Sequence, residues 1–301
     1  MKFLRSRFFA VWPFGMYRMI LCAALACAGA RAGYAGQERL HGDFDGPWGL
    51  QLYSMRAQLE KDVPDALDEV RTWGVRFVEL AGTYGLAPAQ FKAELDAHHL
   101  DPVSGHFPYE RFRDDPEAVA LEAAQLGLIY AGCAWIPHQG TFDEQACRDA
   151  IAVFNRAGKV LASHKMKFFY HTHGYEFVPC RGGTLFDKLV QGTDPKDVHF
   201  EMDIFWVFHA GKNPVAVMDK YPNRFELMHL KDMRQGTRLD LLTGSSDVRN
   251  DVALGAGVLD LRSILREAKD IGVQWYFIED ESPDSERQIP QSIEYLEKVQ
   301  F

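Results

Sequence analysis

The run "GLQLYS" (49–54), then "VPDALDEVRTWG" (63–74), then "RFVEL" (76–80) decides the fold. The outer stretches are short, apolar and rich in strand formers, and the middle one spaces its apolar residues for one face of a helix. The alternation continues to the end of the chain. "APAQFKAELDAHH" follows the second strand, "PVSGHF" (102–107) precedes "DPEAVALEAAQLG", and "LIYAGCAW" (128–135) precedes a helical stretch at 143–164. "FFYHTH" (168–173) leads to "GTLFDKLV", and "VHFEMDIFWV" (198–207) leads to "NPVAVMDKY". "FELMHLKD" (225–232) comes before "LDLRSILREAKDIG", and "QWYFIEDE" (274–281) before "SIEYLEKVQ". Eight such units within residues 47–301 predict an α/β fold, a single-domain (β/α)8 TIM barrel. The competing open doubly wound sheet lacks its Gly-x-Gly-x-x-Gly turn after the first strand. One segment breaks the rhythm: a loop insertion at 233–257, "MRQGTRLDLLTGSSDVRNDVALGAG", between the seventh strand and its helix. In a barrel it lies on the C-terminal face, where active sites are built, and reads as a lid or specificity loop.

Residues 1–32 differ from the rest. They carry Lys2, Arg5, Arg7, Arg18 and Arg31 but no acid, an apolar run from Met19 to Ala28, and a small-x-small site at Ala30-Arg31-Ala32. This pattern reads as a signal peptide for an exported, periplasmic or secreted protein; its apolar run is too short to span a bilayer. Ala24 stands where a lipoprotein cleavage box has a larger aliphatic residue, so lipidation is not expected. Removing the five leader cations takes the formal charge from −9 to −14, a balance that repels phosphate backbones and excludes nucleic acid as a partner. Cys133, Cys147 and Cys180 remain, an odd number with no zinc spacing, and read as single buried thiols.

The strand ends are rich in ligand-type side chains. Glu79, His106 and His138 end or follow strands two to four; His171, His173 and Glu176 follow strand five. Asp203 lies in strand six, His229 and Lys231 in strand seven, Glu279 and Glu281 in strand eight. The i, i+2 pairs share a face, so both members can point into the barrel. Asp203, His229 and Glu279 are embedded in apolar runs, where an unpaired polar group is expensive. A shared cation removes that cost most simply. Mixed carboxylate and imidazole donors suit one divalent ion, Mn²⁺, Co²⁺, Fe²⁺ or Zn²⁺, and the lack of thiolates argues against a structural zinc.

The stretches "VEL" (78–80), "HTHGYEF" (171–177), "MDIFWV" (202–207), "HLKD" (229–232) and "FIEDES" (277–282) resemble the xylose isomerase-like TIM-barrel superfamily of sugar isomerases and epimerases. Its tagatose 3-epimerase-type and inosose dehydratase-type members are included in that resemblance, which covers nearly the whole chain after the leader. It implies one divalent metal held by Glu176, Asp203, His229 and Glu279. Many epimerases place the first of these carboxylates on strand five itself; here the position 33 residues before Asp203 is Tyr170, so Glu176 or one of the two histidines must substitute. The implied reaction is proton transfer beside a carbonyl through a metal-stabilised enolate. Glu279 and Glu176 would serve as base and ligand, Lys231 would stabilise the oxyanion, and His173 would exchange protons. Glu79, His106, His138, His171 and Glu281 would face the substrate, a sugar, keto-sugar or cyclitol. Isomerisation or epimerisation is the first expectation. The alternative is 3-keto-glycoside lyase or hydratase chemistry. A non-catalytic sugar-binding barrel and an endonuclease IV-type nuclease rank below both. No membrane span is expected, and homo-oligomerisation is left open.

Overall fold

The computed structural model describes residues 42–301. The signal peptide expected over 1–32 lies outside these residues. Eight strands form a closed barrel: β1 (Trp48–Gln51), β2 (Phe77–Leu80), β3 (Asp101–His106), β4 (Tyr130–Cys133), β5 (Lys167–His171), β6 (Val198–Asp203), β7 (Phe225–Leu230) and β8 (Trp275–Ile278). Each pairs in parallel with its sequence neighbours, and β1 closes on β8. This is the (β/α)8 arrangement that the alternation predicts.

Helices cover the outside. The helix Val63–Thr72 starts where Asp62 accepts the Asp65 N–H and Pro64 occupies its first turn, and the helix Pro116–Leu126 ends at Gly127 in the left-handed conformation. The expected long helix spans Glu144–Ser163. No helix among the described residues is long and apolar enough to cross a membrane.

The barrel interior follows a period of two. Phe77, Val103, Tyr130, Phe169, Leu227 and Phe277, each from a different strand, pack into an apolar plug toward the N-terminal end. Two residues further along β2, β5, β7 and β8 stand Glu79, His171, His229 and Glu279, so the apolar layer supports a polar one. Gly132 is required beside the plug, because a Cβ there would lie 2.5 Å from the Phe169 ring. The register shifts just before Glu79 on β2 and just before Glu201 on β6. Bulges of this kind re-aim side chains, and here both precede buried acids.

Two stretches depart from expectation. The strand predicted over 198–207 stops at Asp203, and Ile204–His209 form a short helix. Asp203 Oδ1 accepts the Trp206 N–H at 2.9 Å, so the side chain that ends the strand also caps the helix. The insertion at 233–257 is partly regular: Asp232–Met233 pair antiparallel with Asp251–Val252. Asp232 accepts the N–H groups of Met233, Gly255, Gly257 and Leu259 at 2.8–3.1 Å, pinning the returning end of the insertion.

Opposite the site, Glu226 is gripped by Lys167 at 2.6 Å, His199 at 2.9 Å and Tyr130 at 2.8 Å. Burial alone would raise its carboxyl, but His199 and Lys167 overcome this and hold it at about 2. A depressed carboxylate stabilises the fold above its unfolded value of 4.5, and that contribution is lost as pH falls from there through about 2. Glu226→Gln should therefore be less stable than the native chain at pH 7 in urea unfolding, with the gap closing below about pH 4. A gap independent of pH would show that the charge is not what stabilises this end.

Candidate metal centre and active site

His229 stands one residue before the end of β7, inside the barrel, and its two ring nitrogens face different groups. On the side nearer the plug, Nε2 lies 2.6 Å from Glu79 Oε1 and 3.2 Å from Glu201 Oε2. His106 Nε2 approaches the same two acids, at 3.3 and 3.0 Å. Glu79 is saturated: it also accepts Gln51 Nε2 and Ser104 Oγ, each at 2.6 Å. With Nε2–H donating to Glu79, Nδ1 faces the other way. Burial would push the ring down, but Glu201, Glu279 and Glu79 hold it well above the usual imidazole range, so a cation bound at Nδ1 would displace a proton.

Toward the barrel mouth, Nδ1 meets the second group. It lies 3.0 Å from His171 Nε2, 3.1 Å from Glu279 Oε2 and 3.6 Å from Asp203 Oδ2, and the last is 3.4 Å from His171 Nε2. In a tetrahedral site with bonds of about 2.1 Å, neighbouring donor atoms stand about 3.4 Å apart. Asp203 Oδ2 is buried without a hydrogen-bond partner. The donor set therefore fits a divalent ion, and the surrounding charge favours one. Glu79, Glu201, Asp203, Glu279, Glu281 and Asp251 converge here; burial raises Asp251 to about 7, and the cations among them are Lys231 and His229.

Lys231 is 1 % exposed, with Nζ 2.6 Å from Glu281, 3.1 Å from Glu279 and 3.7 Å from both Asp203 and Asp251. Burial would push its ammonium down, but these carboxylates, Glu279 and Glu281 first, hold it well above its usual range. It stays charged. Asp203 and Glu279 are held well below the usual carboxylate range, because Lys231 outweighs their burial. His173 behaves oppositely: burial, reinforced by His171, lowers it to about 3. Its Nδ1 donates to Ala134 O at 2.9 Å, so Nε2 carries the lone pair.

The geometry brings together Asp203, His229 and Glu279 as expected, but it does not bring Glu176 to them. Glu176 Oε1 accepts the Tyr170 hydroxyl and the His173 N–H at 2.9 Å, which turns the carboxylate into the strand-five exit. Burial raises it to about 7. His171, expected to face substrate, takes the place assigned to Glu176. Glu79, also expected at the substrate, is fully buried behind His229 and acts as its orienting partner. His106 meets Glu79 and Glu201 rather than His229, and 15 % of its side chain stays exposed. His138 lies on the rim, bonded to Ile136 O at 2.7 Å.

Glu201 and Asp251 escaped the sequence reading. Glu201 stands two residues before Asp203, so the i, i+2 rule applied to Lys231 and Glu281 finds it as well. Asp251 has no such signal. It reaches the site only because the insertion folds back as a ribbon, where it accepts the Glu281 N–H at 2.9 Å.

Residues 67–299 match the family described as xylose isomerase-like TIM barrel. The chain belongs to this family. An inosose dehydratase of Clostridium botulinum (strain Alaska E43) is 30% identical over 267 residues, covering 79% of this chain and 88% of that one. An inosose dehydratase of Clostridium beijerinckii is 26% identical over 195 residues, and the match spans 58% of this chain but only 65% of that relative's length. Among solved structures, a sugar phosphate isomerase/epimerase from Parabacteroides distasonis superposes with a TM-score of 0.71 at 26% identity, covering 84% of this chain and 99% of that one.

If His171 is the strand-five donor, His171→Ala should weaken Mn²⁺ or Zn²⁺ binding by about 100-fold or more, and Glu79→Gln by about 10–100-fold. Glu176→Gln should bind within about threefold of the native chain, because its carboxylate supports the loop rather than the cluster. Calorimetric titration checks the order. Equal losses in the His171 and Glu176 variants would return the ligand to Glu176.

Proposed function

We propose that the protein is a divalent-metal-dependent enzyme of the isomerase and lyase group that dehydrates a keto-cyclitol or keto-sugar. The observation that carries this reading is the quartet His171, Asp203, His229 and Glu279, with facing donor atoms 3.0–3.6 Å apart and an Asp203 oxygen that makes no hydrogen bond, in a chain related to inosose dehydratases. An ion bound there would supply electrophilic stabilisation of negative charge developing on a substrate carbonyl.

The chain's own groups supply the rest. Lys231, charged and dry, donates to an oxyanion or departing hydroxyl and costs no solvent reorganisation as charge develops. Glu281 binds the same ammonium and keeps part of its side chain exposed, which places a carboxylate at the mouth for proton removal beside the carbonyl. His173, neutral and with Nε2 unprotonated, accepts a substrate hydroxyl rather than carrying a proton. Loss of the α-proton leaves an enolate. Expulsion of the β-hydroxyl as water completes dehydration, and reprotonation on carbon gives the epimerase or isomerase outcome from the same intermediate. Loss of a β-linked alcohol in place of water gives the 3-keto-glycoside lyase outcome. A leader directing export belongs to this proposal, as does a single barrel domain over 47–301.

Incubation of the metal-loaded enzyme with an inosose in D₂O should place deuterium beside the carbonyl and release water, giving an ultraviolet-absorbing unsaturated product. Lys231→Met should lower kcat by about 100-fold or more. Absence of exchange with inososes and free ketoses alike would falsify the enolate reading.

A further inference from the structure

Trp135 follows β4 at the barrel mouth and leaves 40% of its surface exposed; Tyr53 is the other large aromatic side chain so exposed among the described residues. The backbone that carries Trp135 is clamped on both sides. Ala134 O accepts His173 Nδ1 at 2.9 Å, and Ile136 N donates to Tyr175 Oη at 2.7 Å. Tyr175 Oη is in turn 2.8 Å from Tyr170 Oη. The indole is set by rings: His138 stacks on it at 5.0 Å and 22°, while Tyr175 and His173 meet it at steep angles, at 4.6 and 5.4 Å. A large apolar side chain held so firmly, yet left open beside a polar site, has the character of a binding surface.

Its place relative to the metal cluster defines what it would bind. The His171 ring, part of the cluster, is 5.0 Å from the His173 ring, which is 5.4 Å from Trp135. Trp135 therefore lies two ring contacts out from the cluster, on the exposed side of His173. The insertion approaches the same spot. Gly244, in the left-handed conformation, lies so close that a Cβ would meet Tyr175 at 2.8 Å and Trp135 at 2.9 Å. The 233–257 loop thus passes against the indole and bounds the outer space.

Resting on the carbohydrate reading above, we propose that Trp135 is a stacking platform for a second ring of the substrate, joined to the reacting ring by a glycosidic or aryl ether link. Sugar rings present apolar C–H faces, and aryl groups present π-faces, that an aromatic surface of this kind recognises. The substrate class is then a two-ring keto-glycoside, the class that the lyase outcome above acts on, while a monocyclic keto-sugar or cyclitol engages the cluster without the platform. Trp135 is a specificity-determining residue and takes no part in the proton transfer.

Calorimetric titration of the metal-loaded enzyme with D-glucose, cellobiose and 4-nitrophenyl β-D-glucopyranoside tests this. Trp135→Ala should weaken the two-ring probes by about tenfold and leave glucose unchanged, while Trp135→Phe restores most of the loss. Unchanged two-ring binding in Trp135→Ala, or an equal loss for glucose, overturns the platform and leaves the carbohydrate reading standing. Failure of all three probes to bind the native enzyme overturns the platform, and the D₂O exchange with inososes and ketoses decides the carbohydrate reading separately. Far-UV circular dichroism confirms that each variant keeps the barrel.

Discussion

The two-sided use of His229 is the interaction on which the site depends. One imidazole cannot present lone pairs in both directions while neutral, so the partner of one nitrogen decides the state of the other. Glu79, held by Gln51 and Ser104, takes the Nε2 side and leaves Nδ1 for the quartet at the mouth. A carboxylate behind a ligating histidine fixes its orientation and raises its basicity. Losing Glu79 would therefore act on the cluster without any direct contact with a bound ion.

Beneath that imidazole lies the apolar plug, and the barrel needs both layers. The plug closes the interior with aromatic and aliphatic side chains, so the acids above it are dry and their charges are poorly screened. Buried carboxylates in such surplus would be strongly destabilising without cations. Lys231 supplies one positive charge at the mouth, and His229, held well above its usual range by Glu201, Glu279 and Glu79, supplies another. The Asp203 oxygen that makes no hydrogen bond and the facing nitrogens of His171 and His229 mark where a metal cation would replace that proton.

Much of this was legible from residue order. Regular alternation gave eight strands, and the apolar runs around Asp203, His229 and Glu279 marked those side chains as inward and costly. Glu201 obeys the same period-two rule. Glu176 was misplaced because proximity in sequence says nothing about direction at a strand exit. Tyr170 also points to a hydrogen-bonding partner, and its hydroxyl captures Glu176 before that carboxylate can reach the cluster.

Sequence by itself determined the barrel, the end of it where the ligand-type side chains gather, and three of the four clustered side chains, because strand periodicity and the cost of burying polar groups are local properties. Tertiary structure alone decided that His171 joins the cluster with Asp203, His229 and Glu279, that Glu79 lies behind His229, and that Asp251 and Trp135 belong to the mouth. Those assignments depend on bulges, on a loop folding back across the barrel, and on which hydrogen-bond partner reaches each side chain. None of these is written in the spacing of residues along the chain.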